Sequence, residues 1–221
     1  MTFASGAMGL LLAVAVCALL HVAVMALAGR ALGVALDELS FGLGPRLLRV
    51  GKLSIRLLPV GGAVRFAAAD GTMAAADAEA LDARPLGSQL LIGASGCIVL
   101  IALACMLLGG MAGMHAVSVG FANIVGGALS PMHTAQAALG RVEAAAQGLP
   151  FLALLGLTAA TTAALNLLPL PGANGGYLLG ALGRGAGLDK RWPANFTQIL
   201  LLAYIALAAS WLFAAVVYLA S

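Results

Sequence analysis

Residues 7–29 read AMGLLLAVAVCALLHVAVMALAG, an apolar run interrupted by a single ionisable side chain, His21. A helix of about 20 mostly apolar residues, rising about 1.5 Å per residue, crosses the roughly 30 Å hydrocarbon core of a bilayer. The run is therefore expected to be a membrane-spanning helix. It is too long for the apolar region of a signal peptide and has no basic residue ahead of it, so a retained helix is expected. An imidazole at that depth needs a partner or a use, because hydrocarbon supplies neither water nor counter-charge.

Composition extends this reading to the whole chain. Of 221 residues 62% are hydrophobic and 9% charged, against roughly a quarter charged in ordinary soluble domains. Three more runs are long and apolar enough to cross, at 90–109, 149–168 and 199–220. The expected fold is a single membrane domain over residues 1–221, mainly α and polytopic. It has about four transmembrane helices and a small membrane-surface β element between the first two.

The net charge of +3 is mostly a topology signal. Arg30, Arg46, Arg49, Lys52, Arg56, Arg65 and Arg84 lie between the first two runs, and Arg184, Lys190 and Arg191 between the last two, whereas the segment between the second and third holds only Arg141. Basic residues are retained on the cytoplasmic side. Both termini are thus expected outside the cytoplasm, in the manner of a bacterial inner-membrane protein. No basic and aromatic residues interleave as in a nucleic-acid interface. Cys17, Cys97 and Cys105 all fall inside expected spans, where a free thiol behaves as a small hydrophobe. They suggest no disulfide framework.

The β/loop region over 37–86 has structure of its own. Ser54 to Phe66 is rich in β-formers and is broken by Pro59 and the pair Gly61-Gly62, and Phe41-Gly-Leu-Gly-Pro45 precedes it. This pattern predicts a short sheet or hairpin at the membrane surface, whose free edge could accept an extended peptide by strand addition. From Ala67 to Arg84 the chain becomes Ala-rich and acidic, with Asp70, Asp77, Glu79 and Asp82, and reads as a solvated helix or loop. Thr134 to Gln147 suits an interfacial helix. The 110–148 segment that contains it is too short for an inserted peptide-binding domain.

Toward the other end the sequence runs Asn166-Leu-Leu-Pro-Leu-Pro-Gly-Ala-Asn174-Gly-Gly, a helix broken at Pro169 and Pro171. The order is a helix carrying His21, a surface segment ending Leu58-Pro-Val-Gly-Gly-Ala-Val-Arg65, a helix introduced by Arg84-Pro-Leu, the element Leu129-Ser-Pro-Met-His-Thr-Ala-Gln136, and then this Pro-rich motif. That order resembles the site-2 protease family of intramembrane zinc metalloproteases, across roughly residues 10–185.

The resemblance implies a zinc site built from an H-E-x-x-H pair on the first helix and an Asp in the Pro-rich motif. Residues four apart share a helical face, so two His can hold one Zn²⁺ while the Glu between them activates its water. Only His21 matches here. Val22 stands at the Glu position, Met25 at the second His and Asn174 at the Asp. Gly96-Cys97-Ile-Val-Leu100 also departs from the family's Gly-Pro and following Asn. Val carries no proton, and neutral thioether and amide groups are poor zinc ligands.

The expectation is a degenerate member with no catalytic residues and no cofactor, in which His21 hydrogen-bonds Asn166 or Asn174 and locks helices together. It would bind or scaffold another integral membrane protein or transmembrane peptide, through Gly61, Gly62, Asn166, Pro169 and Pro171, as a subunit of a larger membrane complex. One alternative is an active or residual metalloprotease, which would require zinc. Another is soft-metal chemistry with copper or haem at Cys17, His21 and Met25, a stripe at i, i+4 and i+8. Met111, Met114, His115, Met132 and His133 would support that alternative if they converged in space.

Overall fold

A computed structural model describes residues 3–67, 81–188 and 195–221. Its elements are α1 (Phe3–Ala31), β1 (Leu36–Val50), β2 (Leu53–Phe66), a 3-10 turn at Leu81–Ala83, α2 (Leu86–Leu108), α3 (Gly110–Leu129), α4 (Thr134–Gly148), α5 (Phe151–Asn166), α6 (Asn174–Gly185) and α7 (Phe196–Ala220). The chain is thus mainly helical, with a two-stranded hairpin between its first two long helices. Asp70, Asp77, Glu79, Lys190 and Arg191 lie outside the described residues.

Among the described residues four helices are long and apolar enough to cross a bilayer: Gly6–Ala31, Leu86–Leu108, Gly110–Leu129 and Gln198–Ala220. The number matches the sequence expectation, but one member of the set differs. The run at 149–168 forms the sixteen-residue α5, shorter than a full span, while α3 falls in the segment expected to hold only an interfacial helix. Glycines and polar residues such as Ser118 and Asn123 lower the mean hydropathy of α3 to 1.3, against 2.6 for α2. Its apolar signal is diluted although its length is sufficient. Gly109 joins α2 to α3 at φ +90, a backbone conformation that glycine adopts without steric penalty.

The short α5 occupies the middle of the bundle and touches α1, α2 and α3. Its Ala159, Ala160, Ala163 and Ala164 are fully buried and join Ala13 and Cys17 of α1, Leu100 and Ala104 of α2, and Val117 and Ile124 of α3 in one core cluster. Small side chains allow helix backbones to approach closely, which supplies packing where lipid offers no hydrophobic contrast. By contrast α7 is largely exposed. It is fastened along one side, where Trp211 Nε1 donates to the Ile124 carbonyl at 2.9 Å, Ser210 Oγ to that of Ala128 at 2.6 Å, and the Gln136 amide to that of Ala214 at 3.0 Å.

The hairpin is folded on itself by repeated register shifts. Leu39, Ser40 and Phe41 of β1 pair both with Val64, Ala63 and Gly62 and with Leu53, Ser54 and Ile55. A polar cluster pins this arrangement. Ser54 Oγ donates to Glu38 Oε1 at 2.6 Å, Arg46 and Arg65 each approach the Glu38 carboxylate to 3.8 Å, and Arg56 donates to Ser40 Oγ at 2.9 Å and to the Gly44 carbonyl at 3.0 Å. The Ser54 hydroxyl above all, with Arg46, Arg65 and Arg49 around it, holds the Glu38 carboxyl below the usual carboxylate range against the opposing effect of burial.

A carboxyl depressed in the folded state contributes stability above its unfolded pKa, and that contribution is lost as pH falls through the folded value. Hydrogen-exchange protection of the amides in residues 36–66 is therefore expected to drop on acidification below about pH 4. Glu38→Gln should lower protection at neutral pH and remove this acid step. An acid step of full size in Glu38→Gln would show that another group pins the hairpin.

Candidate functional site

The broken segment between α5 and α6 brings Asn174 back against α1 and α2. Leu167 closes α5, the chain turns through Pro169 and Pro171, and α6 begins at Asn174. The Asn174 side chain then meets three partners. Nδ2 donates to the Gly93 carbonyl of α2 at 2.5 Å and to Met25 Sδ of α1 at 3.1 Å, while Oδ1 lies 3.3 Å from His21 Nε2.

These contacts fix the hydrogen positions in turn. The Gly93 carbonyl can only accept, so the atom facing it is the amide nitrogen. Oδ1 therefore faces the imidazole as an acceptor, and His21 carries its proton on Nε2. His21 is only 6% exposed. Its Nδ1 is buried without a hydrogen-bond partner among the described residues and lies against Gly96, where a Cβ would stand 2.6 Å from it. The site is thus a hydrogen-bonded knot of α1, α2 and α6.

A cavity of ≈ 540 Å³ opens beside the knot. His21, Val22 and Met25 line one wall, Asn166 and the stretch Pro171–Asn174 another, and Gly62, Ala63, Val64 and Phe66 of β2 a third. Ser40, Ala63 and their neighbours pair β1 to one edge of β2, and this end of the strand borders the cavity. The fit of the hairpin on α1 is close, since a Cβ at Gly62 would lie 2.7 Å from the Ser40 carbonyl oxygen and 2.9 Å from Val22 Cγ1. Tyr177 and Arg184 of α6 also line it, as do Phe196 and Leu200 of α7. Tyr177 Oη is buried without a hydrogen-bond partner among the described residues, whereas Arg184 bonds Gln89 Oε1 at 3.2 Å and pairs with Asp82 at 3.9 Å.

His21, Val22, Met25 and Asn174, matched in sequence to the metal-site positions, thus come together around one cavity. Of the residues expected to hold a partner, Gly62, Asn166 and Pro171 reach it. Gly61 instead sits against Leu43, and Pro169 does not line the cavity. Asn166 donates to the Thr162 carbonyl of its own helix at 2.9 Å, so Asn174 alone of the two candidates partners His21.

Cys17 belongs to the apolar core rather than to the lining. Met111, Met114 and His115 open α3, whereas Met132 and His133 follow its end. The fourteen helical steps from His115 to Leu129 separate the two groups by about 21 Å, so they do not converge. Among the described residues no three His, Cys, Asp or Glu side chains gather where they could hold a metal. Gly93 and Tyr177 had no clear signature in the sequence. The spacing of Gly93 and Gly96 on one face of α2, and the place of Tyr177 one turn into α6, are the signals that could have found them.

Peptidase family M50 matches the chain over residues 7–210. No curated protein matches it.

Asn174→Ala removes hydrogen-bond partners from His21, Met25 and Gly93 and should lower unfolding stability in detergent by about 0.6–2 kcal/mol, the range of interhelical polar contacts in membranes. Asn174→Asp should be worse than Asn174→Ala at neutral pH, because a carboxylate oxygen would face the Gly93 carbonyl, and should recover on acidification. Equal stability of the Asp and Asn chains at neutral pH would disprove the assigned amide orientation. Gly96→Ala should cost about 1–3 kcal/mol by pushing a methyl group into the imidazole, read in the same thermal unfolding measurement.

Proposed function

The chain belongs to peptidase family M50, and from that membership and the chemistry of its cavity we propose a member that binds without hydrolysing. In this reading it receives an extended or unwound segment of another membrane protein against Gly62–Phe66 of β2, and holds that segment beside the His21 and Asn174 knot. Main-chain hydrogen bonds along a strand edge supply affinity with little demand on sequence. The cavity wall at Val22, Met25 and Pro171 supplies apolar contact.

The observation that carries this reading is the commitment of the Asn174 amide. The family's chemistry calls for a zinc ion, and zinc takes imidazole, thiolate or carboxylate donors. Here Asn174 turns an N–H toward Met25 and Gly93, its oxygen is engaged by His21, and Met25 offers only a neutral thioether. Such a set does not fit zinc. The fully buried Val22 stands where a proton acceptor would be needed, and a positioned general base contributes about 10²- to 10⁴-fold to rate. The basic hairpin is assigned to the cytoplasmic side by its Arg and Lys content, which would admit partners from that face.

Native mass spectrometry of the chain, extracted gently from its own membrane, tests the proposal. The expected spectrum has a companion polypeptide of intact length in fixed ratio and no zinc. One zinc per chain, or a companion shortened on incubation with the purified protein, would overturn the non-hydrolytic reading. A photo-crosslinking residue at Ala63, which is exposed and lines the cavity, should form its adduct with that same companion. Adducts only from residues remote from β2 would remove strand addition as the mode of binding.

A further inference from the structure

The helix α3 carries two seams on opposite sides. Gly113, Val117, Gly120, Ile124 and Gly127 are buried, with Gly113 against Cys105 of α2, Gly120 against Ala164 of α5 and Gly127 against Trp211 of α7. On the other side Met111, His115, Ser118, Ala122, Val125 and Leu129 are all exposed. At about 100° per residue these positions fall within a strip about 80° wide. They recur every three or four residues, the pattern by which one helix pairs with another. None of them lines the cavity.

Acyl chains do not satisfy this strip. His115 makes no hydrogen bond or ion pair among the described residues, and Ser118 Oγ donates to the Met114 carbonyl of its own helix at 3.2 Å. The twenty residues of α3 rise about 30 Å, just enough to cross hydrocarbon. His115 lies about 7.5 Å inside the start of that helix, where an ionisable group calls for a partner. The wider exposed side of α7 is different, because Leu202, Ile205, Leu212, Phe213 and Val216 need nothing from their surroundings beyond apolar contact.

A second copy of the chain supplies what the strip lacks. Copies of one sequence insert in one orientation, so two α3 helices related by a two-fold axis along the bilayer normal run in parallel and meet equal residues at equal depth. Every imidazole has an N–H to donate, and the Ser118 oxygen keeps a lone pair after its proton is committed to Met114. His115 and Ser118 are one turn apart on the strip, so a bond made by one copy is returned by the other. The small side chains of Ser118 and Ala122, four residues apart, let the two backbones approach closely. We propose that this face of α3 joins two copies of the chain, with the His115 imidazole of each donating to the Ser118 hydroxyl oxygen of the other. Each copy keeps a whole cavity of its own, so the pairing does not depend on what that cavity binds.

The test uses the full chain. In its own membrane, Ala122→Cys and Val125→Cys treated with a thiol oxidant should each give a disulfide-linked pair of identical chains, above the background of the parent chain with its native cysteines, whereas Leu212→Cys on α7 should not. Two positions keep the test decisive if either variant fails to fold. In vesicles diluted with phospholipid, His115→Leu should raise the protein density at which half the chains are paired by about five- to tenfold, the loss of two interhelical hydrogen bonds, and His115→Gln should restore most of the pairing. Thermal unfolding of the monomer in detergent should be the same for His115→Leu as for the parent, since the imidazole has no hydrogen bond within its own chain among the described residues. Equal linking through Leu212→Cys would overturn the proposal as random collision, and so would linking only to a different polypeptide, which places a companion on α3. Pairing that His115→Leu leaves unaltered would overturn the assigned hydrogen bond.

Discussion

The amide of Asn174 makes the contact on which the site depends. It joins the start of α6 to His21 and Met25 of α1 and to the Gly93 carbonyl of α2, across segments that hydrocarbon would otherwise hold together only by packing. Polar groups at membrane depth have no water to fall back on, so the same bonds that satisfy His21 also fix where the broken helix returns. Both amide hydrogens and the oxygen are engaged.

Irregular backbone in a membrane protein is tolerated where it lines a cavity, and in the broken stretch Pro171 to Asn174 do so while Pro169 is exposed. Its far end lines the cavity, as does the closing end of β2. Close packing makes this juxtaposition stiff. Gly62 fits between Ser40 and Val22 with no room for a methyl group, and Glu38, Ser54 and the surrounding arginines hold the strands in their shifted register. The hairpin is therefore held firmly where it borders the cavity.

Around this piece the helices divide their tasks by side-chain size. The alanines of α5 admit α1, α2 and α3 to close range, whereas α7 keeps most of its surface exposed and grips α3 and α4 through backbone-directed bonds from Trp211, Ser210 and Gln136. A short central helix beside longer ones also explains why hydropathy and helix length favour different segments. The run at 149–168 has a strong apolar signal because α5 is buried in protein, while the glycine-bearing α3 has a weak one although it is long enough to cross. Hydropathy measures apolar content, and a protein interior satisfies it as well as lipid does.

Much of the molecule was legible in the chain alone. An apolar content of 62% determined a membrane protein, because crossing hydrocarbon demands a local run of apolar residues that any window can detect. The β-forming segment with Pro59 and Gly61-Gly62 located the hairpin, and the order of motifs pointed to the family that residues 7–210 match. Tertiary structure alone decided that Asn174 and not Asn166 partners His21, that Gly62 but not Gly61 reaches the cavity, and that the outer Met and His residues stand too far apart to act together. Helical spacing orders neighbours within a few residues. His21 and Asn174 are 153 positions apart, and only the packing of α1, α2 and α6 brings them within hydrogen-bonding distance.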